Sequence, residues 1–293
     1  MALTVLRSVE DARRFADGVH RSAARLALVP TMGYLHAGHL ALIGQAKRLA
    51  DRVVVSIFVN PTQFAPDEDF ARYPRDAKGD ELKCEQAGVD AVFAPEVVEM
   101  YPPGFETFAE VGRVSRGLCG DKRPGHFRGV ATVVTKLLSI LRPDVALFGE
   151  KDYQQLQVIR RLNADFNLGS QIIAVPTVRE SDGLAMSSRN TYLSPADRTN
   201  ALAIFQGLRR SQQLVAEGVR QSRDLLAAIR SELARAQLRE DYVAIVDAET
   251  LAPLEQLESR PGRALVAAFA GNTRLIDNVG LDSRSPDGGP AGR

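Results

Sequence analysis

Two histidines, His36 and His39, fall in the stretch LVPTMGYLHAGHLALIGQAK (28–47), where a short apolar segment gives way to a helical pattern. A strand over Ala27 to Val29 runs into a turn through Pro30, Thr31, Met32 and Gly33, and an amphipathic helix is predicted from about Gly38 to Asp51. The first turn of a helix has unpaired N–H groups and the positive end of the helix dipole, which together make an anion site. Gly33 and Gly38 leave room for a ligand against the backbone, and imidazoles placed there can donate hydrogen bonds to phosphate oxygens. The alternative is a surface turn with two solvated histidines.

Further polar groups recur at the ends of apolar segments. In GEKDYQQ (149–155) a glycine follows the predicted strand DVALF (144–148), and Lys151, Asp152 and Gln155 enter the first turn of a helix, with Asp152 and Gln155 on one face. An N-cap acid beside a solvated lysine is the other reading. The small, polar loop SDGLAMSSRN (181–190) offers Ser187, Ser188 and Arg189 to close over a triphosphate. NPTQF (60–64) follows VVVSIFV (53–59), at the carboxyl end of a strand, where open parallel sheets hold ligands. Asn60 and Gln63 are candidate substrate contacts there, although Asn-Pro also signals a turn. RPGHFRG (123–129) reads either as an anion-binding loop or as a surface turn.

These groups need a scaffold of alternating strands and helices. Strand, helix and the β-branched run 53–59 make a βαβ unit with a right-handed crossover. Helices are predicted at 8–24 with Ser8 as cap, at 77–88 and at 130–141. Further strands are predicted at 90–95, 144–148 and 171–175, with an edge strand at 106–111. From Pro195 helices (195–217, 222–238) and three short strands (242–246, 264–270, 273–279) suggest a small α+β region. The fold class is thus α/β, a Rossmann-like parallel-sheet domain (1–177) followed by a smaller α+β domain (178–281). The polar, Gly- and Pro-rich segment 282–293 reads as a disordered tail.

Composition narrows the function classes. With 293 residues, 45% hydrophobic and 25% charged, the chain can bury one large or two moderate cores. A net charge of +1 argues against a nucleic-acid-coating surface or a basic membrane face. The two cysteines, Cys84 and Cys119, form no CxxC and suggest neither zinc nor a disulfide framework, which fits a reduced, cytoplasmic protein. Residues 1–15 lack a secretory h-region, and no apolar run approaches the ~18 residues of a membrane span.

The His-x-Gly-His pattern after Pro-Thr-Met-Gly resembles the signature of the nucleotidyl- and adenylate-transferring superfamily that includes class I aminoacyl-tRNA synthetases, and MSSR (186–189) resembles its Met-Ser-Lys-Ser signature. With VPTMGYLHAGHLALI, SIFVNPTQF, RYPRD, RPGHFRGVATVV, FGEKDYQQL and GLAMSSRN in this order, residues 26–280 resemble the pantoate–β-alanine ligase family. The resemblance implies a carbon–nitrogen ligase, a homodimer, and a requirement for ATP with Mg²⁺. It places ATP on Met32, Gly33, His36, Gly38 and His39, on Gly149, Glu150, Lys151 and Asp152, at Val178, and on Met186, Ser187, Ser188 and Arg189. His39 matches the position assigned as proton donor, and His36 and Lys151 accompany it in catalysis. Pantoate is expected on Gln63 and Gln155, with Gln63 also near β-alanine. Asn60, Tyr73, Arg123 and His126 match other pocket positions. Ala37 stands where the family more often has an acidic residue.

The implied chemistry is attack of pantoate carboxylate on the α-phosphorus of ATP, followed by displacement of AMP by β-alanine. Charge builds on phosphate in the first step, so placed donors are the expected source of catalysis. No run has metal-ligand spacing, so Mg²⁺ is expected to ride on the phosphates. The adenylate must be kept from water, and the 181–190 loop with the second domain is the expected lid. Two rivals share the phosphate signatures: a nucleotidylyltransferase, and a non-catalytic nucleotide sensor. Neither accounts for Gln63 and Gln155.

Overall fold

The runs LALVPT and RVVVSI are apolar on both faces, so they are stable only as strands covered on both sides. In the computed structural model, which describes residues 3–66, 68–257 and 260–281, they become β2 (Leu26–Thr31) and β3 (Arg52–Ile57) of a six-stranded parallel sheet. Its other strands are β1 (Thr4–Leu6), β4 (Ala91–Phe93), β5 (Val145–Gly149) and β6 (Gln171–Val175). The spatial order is β1-β4-β3-β2-β5-β6. From β2 the chain winds outward through β3 to β4, then returns to lay β5 against the other side of β2, with Ala27 opposite Val145. Strand order therefore reverses between β2 and β5.

Helices cover both faces. Ala27, Val29, Val53, Val55, Val145 and Leu147 pack with Leu42, Ile43 and Ala46 of α2 (Ala37–Leu49). The alternate residues Leu28, Val54 and Ala146 point the other way and are equally buried. On the amino-terminal side, α1 (Val9–Arg21) is capped by Ser8, whose hydroxyl accepts the Asp11 N–H. α3 (Ala77–Gln86), the short α4 (Val97–Met100) and α5 (Leu118–Lys122), α6 (His126–Leu141) and α7 (Tyr153–Asp165) complete this unit. Carboxylates fix the amino ends of the strands: Asp144 accepts from Leu26 N–H at 2.7 Å, Asp51 from Arg25 and Asp90 from Val53 at 2.8 Å each.

Several elements differ from the sequence expectation. α6 starts at His126 and not Val130, because Gly125 at φ +81° turns the chain into the helix and His126 and Phe127 are buried with it. Residues 106–111 form no strand; Phe105 and Phe108 stack edge to face there, and the guanidinium of Arg128 lies 4.0 Å over the Phe108 ring. β1 is three residues long, too short for alternation to reveal it. The segment after Gly149 begins as a tight 3-10 turn, Glu150–Asp152, and α7 starts only at Tyr153.

Among the described residues the chain divides into two compact units, one running to 178 and including 186–188, the other comprising 179–185 and the residues from 189 to 281. In the second, the predicted helix 195–217 is interrupted at Ala201 into α8 (Pro195–Asn200) and α9 (Leu202–Ala216), and the Ile204 N–H bonds the Ala201 carbonyl at the break. These helices and α10 (Ser222–Arg235) accompany an antiparallel sheet of β7 (Arg239–Asp247), β8 (Gly262–Ala270) and β9 (Thr273–Gly280). Leu208, Leu225, Ile229, Val266 and Ala268 meet in its core. The expected tail, 282–293, lies outside the described residues.

Candidate active site

A parallel sheet holds ligands at the carboxyl ends of its strands, at the point where strand order reverses. Here that point lies between β2 and β5, and the segments that leave it are Met32–His39 and Gly149–Asp152. Topology thus brings together two stretches more than a hundred residues apart in the chain.

The turn after β2 is held by groups the sequence did not flag. Gly33 (φ +83°) and Tyr34 (φ +52°) are both left-handed, a strained arrangement for tyrosine. The carboxylate of Asp80, 1% exposed, accepts the Tyr34 and Leu35 N–H groups at 2.7 Å each. Thr31 Oγ1 accepts the Gly33 N–H at 3.1 Å and donates to the Ser56 carbonyl at 2.8 Å. The only trace of Asp80 in the sequence is its i,i+4 spacing to buried Cys84 on α3.

His36 is the N-cap of α2, and its Nδ1 accepts the Gly38 N–H at 3.1 Å. His39 reaches back, its Nδ1 accepting the His36 N–H at 3.2 Å, so two imidazoles form a reciprocal capping box. The rings lie 4.0 Å apart, and a Cβ at Gly38 would fall 2.9 Å from His36 Cε1. A ring nitrogen that accepts a hydrogen bond bears no proton, so each neutral ring carries its proton on Nε2. Burial, with the nearby charge of Lys151, lowers the His36 pKa to about 4. Burial and His36 lower that of His39 to about 3. Near neutral pH both rings are uncharged Nε2–H donors, suited to give a hydrogen bond and not to release an imidazolium proton.

Lys151 stands in the 3-10 turn after β5, its ammonium 3.7 Å from Asp152 Oδ2, and its charge is felt by both histidines. Asp152 is the N-cap residue of α7, with no capping hydrogen bond from its side chain. Of the two glutamines that follow, Gln154 is structural: its Oε1 accepts the Cys119 N–H at 3.0 Å and its Nε2 lies 3.2 Å from three carbonyls, of Val114, Arg116 and Gly117. Gln155 is half-buried. Met186 to Ser188 belong to the unit that carries the parallel sheet. The Met186 N–H bonds the Val178 carbonyl at 3.0 Å, and Met186 Cβ lies 3.8 Å from where a Gly38 Cβ would be, so this segment flanks the start of α2. Ser188 is buried, and Arg189 belongs to the second unit.

At the end of β3 the two amides separate in role. Asn60 is 1% exposed and fully engaged: its Nδ2 donates to Gln63 Oε1 (3.1 Å) and the Gly129 carbonyl (3.2 Å), and its Oδ1 accepts from Tyr101 Oη (2.8 Å) and Thr62 Oγ1 (2.9 Å). It supports the 3-10 turn Pro61–Gln63. Gln63 is aimed from both ends, with Nε2 3.2 Å from Met32 Sδ. Tyr73 is buried with its ring edge-on to Phe64. The RPGHFRG segment resolves into interior contacts: Arg123 forks onto Glu68 with both bonds at 2.6 Å, and His126 Nδ1 lies 2.9 Å from the Gln63 carbonyl. Glu68 and Tyr101 left no sequence signal, because each acts only through the fold.

The family model for pantoate-beta-alanine ligase matches residues 4–280. Over 283 residues the chain is 62% identical to the pantothenate synthetase of Myxococcus xanthus, covering 96% of this chain and 97% of that one. It is 50% identical to that of Moorella thermoacetica, covering 96% and 99%. The crystal structure of pantothenate synthetase from Thermus thermophilus superposes with a TM-score of 0.88 at 44% identity, over 94% of this chain and 98% of that one. The ligase from Francisella tularensis, solved with β,γ-ATP and β-alanine, gives 0.79 at 34% identity, over 95% and 97%. A match of this extent, on a site whose parts converge at one end of the sheet, makes the chain a member of the pantoate–β-alanine ligase family.

Proposed function

We propose that this chain joins pantoate to β-alanine at the expense of ATP through a pantoyl-adenylate intermediate, releasing pyrophosphate and AMP. The observation that carries the reading is the convergence at one switch point of two uncharged Nε2–H donors, His36 and His39, with the ammonium of Lys151, beside Gln63 at the end of the next strand. In the first step a carboxylate oxygen of pantoate attacks the α-phosphorus, the bond to the bridging oxygen breaks and pyrophosphate leaves. In the second the β-alanine amine attacks the acyl carbon, loses a proton and expels AMP.

The triphosphate lies over Met32, Gly33 and Gly38, with His36, His39 and Lys151 donating where charge develops. Gly149, Glu150, Asp152 and Val178 complete the nucleotide site, and Met186, Ser187, Ser188 and Arg189 close on it. Gln63 and Gln155 hold pantoate as neutral amides, which leaves its carboxylate nucleophilic, and Gln63 also adjoins β-alanine. Region 1–177 binds nucleotide and pantoate, 178–281 is the smaller α+β domain, and the mixed anhydride must be kept from water. Among the described residues no three His, Cys, Asp or Glu side chains group to hold a metal. Mg²⁺ would be carried on the ATP oxygens, where it would supply charge neutralisation; the carboxylate beside Lys151 is that of Asp152. We assign the chain to the cytoplasm, as a homodimer, in keeping with its membership of the family.

The test is exchange of labelled pyrophosphate into ATP. It is expected with pantoate alone, without β-alanine, and AMP should appear in equal amount to amide when both are present. Release of ADP, or exchange that depends on β-alanine, would overturn the reading.

A further inference from the structure

Arg123, His126 and Glu68 sit beside the pantoate subsite proposed above, yet their hydrogen bonds run into the protein. The carboxylate of Glu68 takes both sides of the guanidinium, Nε and NH2 of Arg123, at 2.6 Å each. NH1 of Arg123 lies 3.1 Å from His126 Nε2, and NH2 is 3.4 Å from the Gln63 carbonyl. An arginine only donates, so His126 Nε2 must accept, and the ring proton is on Nδ1. That Nδ1–H points at the same Gln63 carbonyl, 2.9 Å away. The pair is largely buried, with side-chain exposure of 14% for Arg123 and 21% for Glu68, and such a pair is a weak source of stability. What it secures is direction: the bonds run in one chain from the Glu68 carboxylate through Arg123 and His126 to the backbone carbonyl of Gln63. The opposite side of that turn is fixed by Gly129, where a Cβ would meet the Thr62 carbonyl oxygen at 2.3 Å.

We infer that Glu68, Arg123 and His126 are positioning residues that clamp the Gln63 backbone and thereby aim its side-chain amide at pantoate, without touching ATP. The inference rests on the pantoate reading of Gln63. Loss of the clamp lets the turn rock, so the amide loses its aim while the nucleotide donors, on other strands, keep theirs.

The experiment is pantoate-dependent pyrophosphate exchange, which contains no β-alanine, with KM for pantoate and for ATP measured separately. His126→Phe keeps the ring and removes the donor, and Glu68→Gln removes the charge that orients the fork. Both are expected to raise the pantoate KM about tenfold with ATP KM unchanged and maximal exchange within about threefold of wild type. His126→Asn, which retains an N–H near the Nδ1 position, should restore the pantoate KM to within about threefold of wild type. If His126→Phe does not fold, Glu68→Gln reads the same quantity. An unchanged pantoate KM in Glu68→Gln, equal rises for pantoate and ATP, or no rescue by asparagine would each overturn the clamp. Absence of exchange in the wild type would instead refute the pantoate reading itself.

Discussion

Removing the Asp80 carboxylate should unfasten the turn that presents the two histidines. Asp80 accepts the Tyr34 and Leu35 N–H groups at 2.7 Å in a site where its own exposure is 1%. In Asp80→Ala these two buried donors lose their partner, at about 1–3 kcal/mol each. Tyr34 is also held at φ +52°, a conformation worth roughly 1–2 kcal/mol of strain that the carboxylate maintains. Relaxing the turn recovers part of the cost, which leaves a local destabilisation of about 3 kcal/mol. Since about 1.4 kcal/mol is tenfold, amide exchange over 32–40 should accelerate by roughly a hundredfold or more while the strand interiors stay protected. A displacement near ~1 Å of His36 and His39 should lower pyrophosphate exchange by ~10². Asp80→Asn keeps the shape but offers one acceptor in place of two, and should fall between. Deuterium uptake by mass spectrometry, with the exchange assay on the same samples, decides the matter. Wild-type protection of 32–40 together with wild-type turnover in Asp80→Ala would refute the assignment.

His39→Ala should lower the maximal exchange rate by ~10² with little change in ATP affinity, the mark of a donor to developing charge; weak ATP binding at normal turnover would speak against it. Because His36 and His39 are lowered from 6.5 to about 4 and about 3, the unfolded chain takes up protons first as pH falls. Stability from these sites is therefore complete above pH 6.5 and is lost as pH falls from 6.5 to about 3, as denaturant titrations across that range should show. Pyrophosphate exchange should show no histidine ionisation above about pH 5, and a limb near about 6.5 that vanishes in His39→Asn would contradict the neutral capping box. Lys151→Ala should slow adenylation by ~10²–10³ and the attack of β-alanine on supplied pantoyl adenylate far less, with partial rescue by arginine; single-turnover kinetics of each half-reaction would show equal losses if Lys151 only organises the pocket. Gly129→Ala places a Cβ 2.3 Å from the Thr62 carbonyl oxygen, so α6 must move off the turn, and a fall in melting temperature with a raised pantoate KM is expected.

Arg123, His126 and Asn60 show where sequence reading stops. As residue types they suit anion or substrate contact, and RPGHFRG allows either an anion loop or a turn. In the fold Arg123 faces Glu68, His126 faces the Gln63 carbonyl, and Asn60 is bonded on every side by its own turn and the elements beside it. Their partners are up to 69 residues away, beyond the reach of any local pattern. Residues 106–111 fail for a related reason: weak alternation resembles a strand, but cation–π and edge-to-face contacts, not a ladder, order that segment.

The sequence by itself determined the strands around Val29, Val55 and Leu147, whose unbroken apolar runs permit only a doubly covered sheet, and it placed His36, His39, Gln63 and Lys151 at strand ends. It also marked Gly33 and Gly38 as points of close backbone approach, and in the fold a Cβ there would meet Asp80 and His36. Only the tertiary structure decided that β5 lies against β2, which makes neighbours of Lys151 and the histidines. An apolar strand reads the same whichever strand it pairs with, because register and order are set by non-local packing. The protonation of the rings was decided at the same level: a tautomer depends on which backbone N–H reaches which nitrogen, and that is fixed only when α2, its cap and the Asp80 carboxylate close on one another.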